Sequence, residues 1–79
     1  MTIAEALSKR LIAFMEERNM TGYRLSMLSG VNQTTIADIK KMRNTAVNVR
    51  IIFELCQGLG IDLAEFFSDP VFNNDNIID

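Results

Sequence analysis

The chain has 79 residues, of which 48% are apolar, and a formal net charge of −2 at pH 7. This length favours one domain, and the apolar content favours a folded core over a disordered chain. The single cysteine, Cys56, excludes an internal disulfide and fits a reducing, cytoplasmic setting. No apolar run has the roughly 18 residues of a membrane-spanning helix, and the N-terminus lacks the pattern of a signal peptide.

An enzyme is not expected from this composition. Histidine, the commonest general base, is absent. Cys56 lies in an apolar stretch, which predicts a small core residue. The carboxylates are scattered, and no spacing is typical of metal ligands or of a nucleophile with its base. We therefore expect no catalytic site, no metal site and no cofactor.

Charge is distributed unevenly along the chain. Residues 18–50 carry six basic side chains and one acidic one, which gives this segment a charge of +5. Residues 51–79 carry six acidic side chains and no basic one. The net charge argues against a nucleic-acid partner, but the distribution provides a basic middle segment that favours one.

Two helices are predicted in the N-terminal part. Thr2 and Glu5 form a capping box that begins the first, and Asn19 is expected to end it in the left-handed conformation. The second is expected to begin after Thr21 and to end at Gly30. Its inner face would hold Leu25 and Leu28. Three methionines are predicted to fill the core or its edge: Met15, Met20 and Met27.

A third helix is predicted after Asn32, its N-cap, with Ile36 and Ile39 facing inward. The left-handed backbone conformation costs a non-glycine residue about 1–2 kcal/mol, and it costs asparagine less than most. We therefore expect this helix to continue past Met42 and to end at Asn44.

A fourth helix is predicted after Asn48, from Val49 to about Gln57, with Gly58 or Gly60 at its end. Its inward positions are predicted to be Ile52, Phe53, Leu55 and Cys56.

Asp62 and Glu65 form a second capping box that begins a short fifth helix, and Pro70 follows this helix. No segment has the alternation of a strand. The prediction is an all-α fold with five helices, as one domain over residues 1–68 with a tail over residues 69–79. Four apolar side chains of the tail either fold back on the core or are buried at a dimer interface: Val71, Phe72, Ile77 and Ile78.

The second and third helices, with a short turn at Gly30 between them, form a helix-turn-helix. The third helix presents Gln33 and Thr34 at its N-terminal end, with Thr35 and Asp38 at the edges. The major groove admits one such helix, whose first residues reach the base edges. Glutamine can bond adenine, threonine offers a hydroxyl and a methyl, and a carboxylate can accept from cytosine. The alternative is an ordinary solvated helix start.

Basic side chains lie where this helix would leave the groove, and they are predicted to contact phosphates: Lys40, Lys41 and Arg43. Arg24 and Arg50 could contact phosphates or pair with acidic neighbours. Asp38 could instead be solvated or paired with Lys41.

The stretches "LSMLSGVNQTTI" and "LGIDLAEFF" resemble the Cro- and lambda-repressor-like (Xre-type) helix-turn-helix regulators of bacteria and phages. The resemblance covers roughly residues 9–68. It implies a five-helix lambda-repressor-like DNA-binding domain that often acts as a dimer on near-palindromic operators. It places Gln33, Thr34 and Asp38 at base-reading positions. It places three other residues at backbone-contacting positions: Lys41, Arg43 and Asn44.

This sequence departs from the family pattern at two positions. Gly22 stands where the family often has a glutamine that meets a phosphate, so that contact would come from backbone N–H groups or from Thr21. Met42 stands where the family often has a glycine.

The sequence therefore favours a transcriptional regulator, most simply a repressor, which binds double-stranded DNA as a homodimer and has no membrane partner. The alternative is an antitoxin-like or other protein-interaction module on the same fold. It is motivated by the acidic C-terminal part and the apolar residues of the tail.

Overall fold

The computed structural model describes residues 1–79 and contains five α-helices and no β-strand. This confirms the predicted fold class. None of the helices combines the length and apolar character needed to span a bilayer. The helices, followed by two 3₁₀ turns at Pro70–Phe72 and Asn74–Asn76, are α1 (Ile3–Glu17), α2 (Gly22–Ser29), α3 (Gln33–Lys40), α4 (Val49–Leu59) and α5 (Leu63–Phe67).

The first four helices begin at the predicted caps. Thr2 Oγ1 accepts from the Glu5 N–H at 3.1 Å, and Glu5 Oε1 accepts from the Thr2 N–H at 3.1 Å. The hydrogen bond from the Thr2 backbone holds the pKa of the Glu5 carboxyl below its usual value. The side chains of Thr21, Asn32 and Asn48 accept from backbone N–H groups at 3.1, 2.8 and 2.9 Å. Each cap is typically worth about 1 kcal/mol.

The fifth helix begins where predicted, but its predicted capping box is wrong. Asp62 is the N-cap residue of α5 with extended backbone, and its side chain makes no capping hydrogen bond. The helix has only five residues, and Phe66 is the one that is buried. Packing of that ring therefore holds α5 in place, because a helix this short has little stability of its own.

One core of 14 buried side chains joins all five helices. It includes the predicted inward positions of α3, Ile36 and Ile39, and most of those of α4. Cys56 is buried as predicted, and burial raises the pKa of its thiol to about 11, with smaller contributions from Asp62 and Glu65. The thiol is therefore a packed core group and not an activated nucleophile.

Two predicted inward positions are wrong, because Leu28 and Phe53 are each 46% exposed. Met27, predicted to lie in the core or at its edge, is 62% exposed. On α2 only Leu25 is buried, because this eight-residue helix turns a single narrow stripe toward the core. On α4, Phe53 is rotated by about 100° from Ile52, which places it beyond the edge of the buried stripe.

Gly58 allows α4 to pack closely against the end of α2. A Cβ atom at this position would lie 2.9 Å from the Cβ of Ser29 and 3.1 Å from the Ser29 backbone nitrogen. It would also lie 3.0 Å from Cδ1 of Leu25. The helix ends two residues further on, at the C-cap Gly60, which adopts φ 75°. The absent side chain of Gly58 therefore sets the distance between α2 and α4.

The tail folds back on α1. Phe72 packs against the core, with its ring centroid 4.9 Å from that of Phe67. The Ile78 N–H donates to the Met1 carbonyl at 3.0 Å, and Asp79 Oδ1 accepts from the backbone N–H of residue 3 at 2.9 Å. The Ile78 side chain itself is 79% exposed. The tail thus contributes Phe72 to the core and leaves Ile78 outside it.

We expect Gly58→Ala to destabilise the protein, although alanine is normally the better helix former. The added Cβ overpacks the α2–α4 contact, and overpacking typically costs about 1–3 kcal/mol. Each kcal/mol lowers Tm by about 4–8 °C in a domain of this size. Gly22→Ala is the matched control, because a Cβ there meets only Ile36 Cγ2 at 4.0 Å. A Tm that does not fall for Gly58→Ala relative to Gly22→Ala would contradict this reading.

Candidate nucleic-acid interface

Two short helices meet at a tight turn. Gly30 ends α2 with φ 79°, and α3 begins three residues later at Gln33. Within the turn, Ser29 Oγ accepts from the Val31 N–H at 3.1 Å, and the Val31 side chain is buried. Leu25 of α2 is buried in the same core as the inward residues of α3. This geometry is the predicted helix-turn-helix.

A buried serine holds the far end of α3. The Ser8 hydroxyl of α1 donates to the Lys40 carbonyl at 2.6 Å, and Ser8 is the only polar residue that is fully buried. Lys40 is the last residue of α3, where carbonyls have no helical partner. Ser8 was not among the predicted site residues. Its place between Ala6, Leu7 and Leu11 on an apolar helix face was the available signal.

The N-terminal end of α3 is open to solvent. Gln33 and Thr34 are exposed, while Thr35 and Asp38 are half-buried at the edges of this face. Asn32 Oδ1 accepts from the Thr35 N–H at 2.8 Å and so caps the helix. The side chains of Gln33 and Thr34 take no part in this cap. Helical spacing places Thr34, Asp38 and Lys41 on one side, opposite the buried isoleucines.

Asp38 pairs with Arg43 and not with Lys41. Arg43 Nη1 lies 3.7 Å from Asp38 Oδ1, and the Arg43 side chain is 65% exposed. An ion pair of this length and exposure contributes little to stability. Arg43 therefore remains able to turn toward a phosphate. Lys41 is exposed and forms no ion pair within the chain.

Lys40 points along a different side of α3 from Lys41. It is half-buried and lines an open groove between the C-terminal half of α1 and the start of α2. Thr21 lines the same groove and uses its hydroxyl to accept from the Arg24 N–H at 3.1 Å. Glu16 lines this groove as well, so a phosphate near Thr21 would approach one carboxylate as well as Lys40. Arg24 itself is exposed and unpaired.

Two residues of the basic segment have structural contacts. Arg18 Nε donates to the Leu59 carbonyl at 2.9 Å, so this arginine holds the end of α4. Asn44 Oδ1 accepts from the Ala46 N–H at 3.0 Å and shapes the loop after α3. Arg50 is exposed near the start of α4.

The end of α3 corrects the sequence prediction. The helix ends at Lys40, and Met42, not Asn44, adopts the left-handed conformation with φ 60°. The Arg43 N–H donates to the Asp38 carbonyl at 2.8 Å, and the Met42 N–H donates to the Ile39 carbonyl at 3.2 Å. These are the two hydrogen bonds of a Schellman motif. Together these hydrogen bonds offset the roughly 1–2 kcal/mol that the left-handed conformation costs a non-glycine residue such as Met42.

Comparisons with known proteins agree with this geometry. A family model described as a Cro/C1-type HTH DNA-binding domain matches residues 10–70. The chain belongs to this family. It is also similar to a solved structure, the crystal structure of the prophage Lp1 protein 11, with 30% sequence identity and a TM-score of 0.79. The match covers 92% of this chain and 96% of that chain. No curated protein sequence matches.

The resemblance inferred from the two sequence stretches is therefore confirmed. This member of the Cro/C1 family is a helix-turn-helix DNA-binding regulator of bacterial or phage type, and its partner is DNA.

We expect Met42→Gly to be more stable than Met42→Ala by about 0.5–1 kcal/mol. Both changes remove the same atoms beyond Cβ, so the difference isolates the left-handed backbone, which glycine adopts without strain. The larger entropy of glycine in the unfolded chain offsets part of that gain. Urea denaturation of the two variants measures the difference.

The control for Met42 is Ala13, which is exposed within α1. Ala13→Gly should lower the free energy of unfolding by about 1 kcal/mol. At this position alanine is then favoured over glycine, which is the reverse of the order expected at position 42. If alanine were also favoured over glycine at position 42, the left-handed turn would be refuted.

Proposed function

We propose that the protein is a sequence-specific transcriptional repressor that binds double-stranded DNA as a homodimer in the cytoplasm. The proposal rests on one observation above all: the start of α3 exposes Gln33 and Thr34 on a helix that is fixed at both ends. A helix that reads base edges needs free side chains and a backbone that does not move. No catalytic role forms part of the proposal.

Direct base readout is assigned to the first turn of α3. The Gln33 amide can make two hydrogen bonds to adenine, and Thr34 can contact a thymine methyl. Thr35 is further from the centre of this face and is assigned a smaller part. Asp38 can accept from the cytosine amino group, and Arg43 beside it reduces its repulsion of the phosphates.

Phosphate contacts are assigned to the residues around this turn. Lys41 and Arg43 lie at the end of α3, and Lys40 and Thr21 share the groove beside the start of α2. Arg24 lies on the outer side of α2, and Asn44 lies in the loop after α3. Such contacts position the protein and supply most of the salt dependence of binding.

A homodimer would place two copies of α3 in successive major grooves. The two half-sites would then be about 34 Å, or 10–10.5 base pairs, apart from centre to centre. Binding to two half-sites doubles the number of base contacts, and an operator with approximate two-fold symmetry follows.

A protein-interaction module, such as an antitoxin, is the second candidate. It is favoured by the outer face of α2, where Tyr23, Met27 and Leu28 are all largely exposed. The exposed Ile78 in the acidic C-terminal part favours it as well. A protein bound at the α2 face would compete with DNA phosphates for Arg24, whereas a protein bound at the tail would leave the DNA interface free.

Selection from random duplex DNA at two salt concentrations tests the proposal. We expect recovery of a two-fold symmetric motif whose enrichment falls at the higher salt concentration. Recovery of no motif at either salt concentration would refute sequence-specific binding and favour the protein-interaction module.

We expect Gln33→Ala to relax the base preference at one position of each half-site, at a cost of about 1–3 kcal/mol for the preferred base. Affinities for the selected operator and for its single-base variants measure this effect. Equal weakening on every sequence would remove Gln33 from the base-reading set.

We expect Lys41→Ala to weaken binding to all sequences and to lower the salt slope by about one unit per copy. The slope is measured from the dissociation constant over a range of salt concentrations. Lys9→Ala is the matched control, since Lys9 is exposed on α1 beside the tail residues Asp69 and Val71. If the two variants had the same slope, the Lys41–phosphate contact would be refuted.

A further inference from the structure

The outer face of α4 carries a pair of exposed apolar side chains. Val49 is 65% exposed and Phe53 is 46% exposed. They are four residues apart, which places them side by side on one face of the helix. Exposed aromatic and branched side chains at adjacent positions are typical of contact surfaces.

Two opposite charges flank this pair. Arg50 and Glu54 are also four residues apart on α4, and neither forms an ion pair within the chain. We propose that this surface, made of Val49, Arg50, Phe53 and Glu54, is the interface through which two copies of the protein associate. The inference deepens the homodimer of the proposed function and rests on it.

Charge complementarity indicates that this α4 surface binds a second copy of the chain. In a two-fold contact each residue meets the partner's equivalent surface. When two antiparallel α4 helices cross at the level of residue 52, Arg50 of one copy lies opposite Glu54 of the other, twice. With a rise of about 1.5 Å per residue, the two Phe53 rings are displaced by only about 3 Å along the axis and contact each other. Val49 then packs against the other copy's Phe53.

The exposed face of α2 does not fit a second copy in this way. Arg24 lies among Tyr23, Met27 and Leu28, and α2 contains no acidic residue. A two-fold contact through this face would place both copies of Arg24 in the interface with no acidic residue of α2 to pair with either, and like charges oppose association. The α2 face therefore suits DNA phosphates or an acidic partner.

Sedimentation velocity of the full chain without DNA, from micromolar to millimolar concentration, tests the interface. We expect a reversible dimer for the native sequence. Phe53→Ser should raise its dissociation constant by at least about tenfold, because an aromatic side chain is lost from both copies. Phe53 is about half exposed, so this change should preserve the helical circular dichroism spectrum. Tyr23→Ser on α2 is the matched control and should leave association unchanged.

A charge exchange tests the register of the two helices. Arg50→Glu and Glu54→Arg should each weaken self-association, since each places like charges opposite one another. An equimolar mixture of the two variants should associate again, because opposite charges then meet at both contacts.

A chain that stays monomeric at millimolar concentration would overturn the inference, as would a dimer that is lost in Tyr23→Ser and kept in Phe53→Ser. Failure of the mixture to associate would overturn the Arg50–Glu54 pairing. These results are independent of DNA binding. A monomer that still selects one DNA motif would refute this interface and leave DNA reading intact. A dimer that selects no motif would refute sequence-specific DNA binding and leave this interface intact.

Discussion

Phe14 lies between Arg10 of its own helix and Arg18, the C-cap residue of that helix, and this arrangement attaches the C-terminal half of the chain to α1. The guanidinium carbons of Arg10 and Arg18 lie 4.3 and 5.2 Å from the centroid of the Phe14 ring. Arg10 donates to two carbonyls at the end of α5, at 2.6 and 2.7 Å, and Arg18 donates to the Leu59 carbonyl at the end of α4. The last carbonyls of a helix have no partner within it and carry its negative dipole end. Arg10 of α1 therefore caps α5, and Arg18 at the end of α1 caps α4. Ser8 of α1 holds the end of α3 in the same way.

This arrangement also determines which charges are available to DNA. Arg10 and Arg18 are bound to carbonyls, and six acidic residues lie in the C-terminal part, so most of the remaining cations lie around the helix-turn-helix. Four basic side chains remain near α2 and α3: Arg24, Lys40, Lys41 and Arg43. With a salt slope of about −0.9 per neutralised phosphate, one copy reaches a slope of only about −4. The few cations per copy limit non-specific binding, and they make pairing of copies the direct way to raise operator affinity.

Interactions between residues close in sequence could be predicted, and those between distant residues could not. The caps at Thr2 and Asn32 depend on bonds to backbone three residues away, so the sequence indicates them directly. The open face at Gln33 follows from helical periodicity in the same way. The Ser8–Lys40 bond joins residues 32 apart. The apolar face of α1 indicates that Ser8 is buried, but no local pattern indicates its partner. Hydrophobic periodicity indicates the direction of the core but not the width of the buried stripe. For this reason periodicity predicts a buried Phe53, although its side chain lies at the exposed edge of α4.

The left-handed turn at Met42 connects these observations. It brings Arg43 back toward Asp38, and it starts the loop that leads to the Asn48 cap of α4. Propensity alone predicts this turn at Asn44, but two backbone hydrogen bonds fix it at Met42. The Asn44 side chain shapes the loop that follows. This turn and loop join the base-reading helix to α4, while packing against α2 in the shared core holds both helices in place. If two copies pair through α4, the packing of α2 between α3 and α4 determines how far apart the two reading helices lie, and so the half-site spacing that the protein accepts.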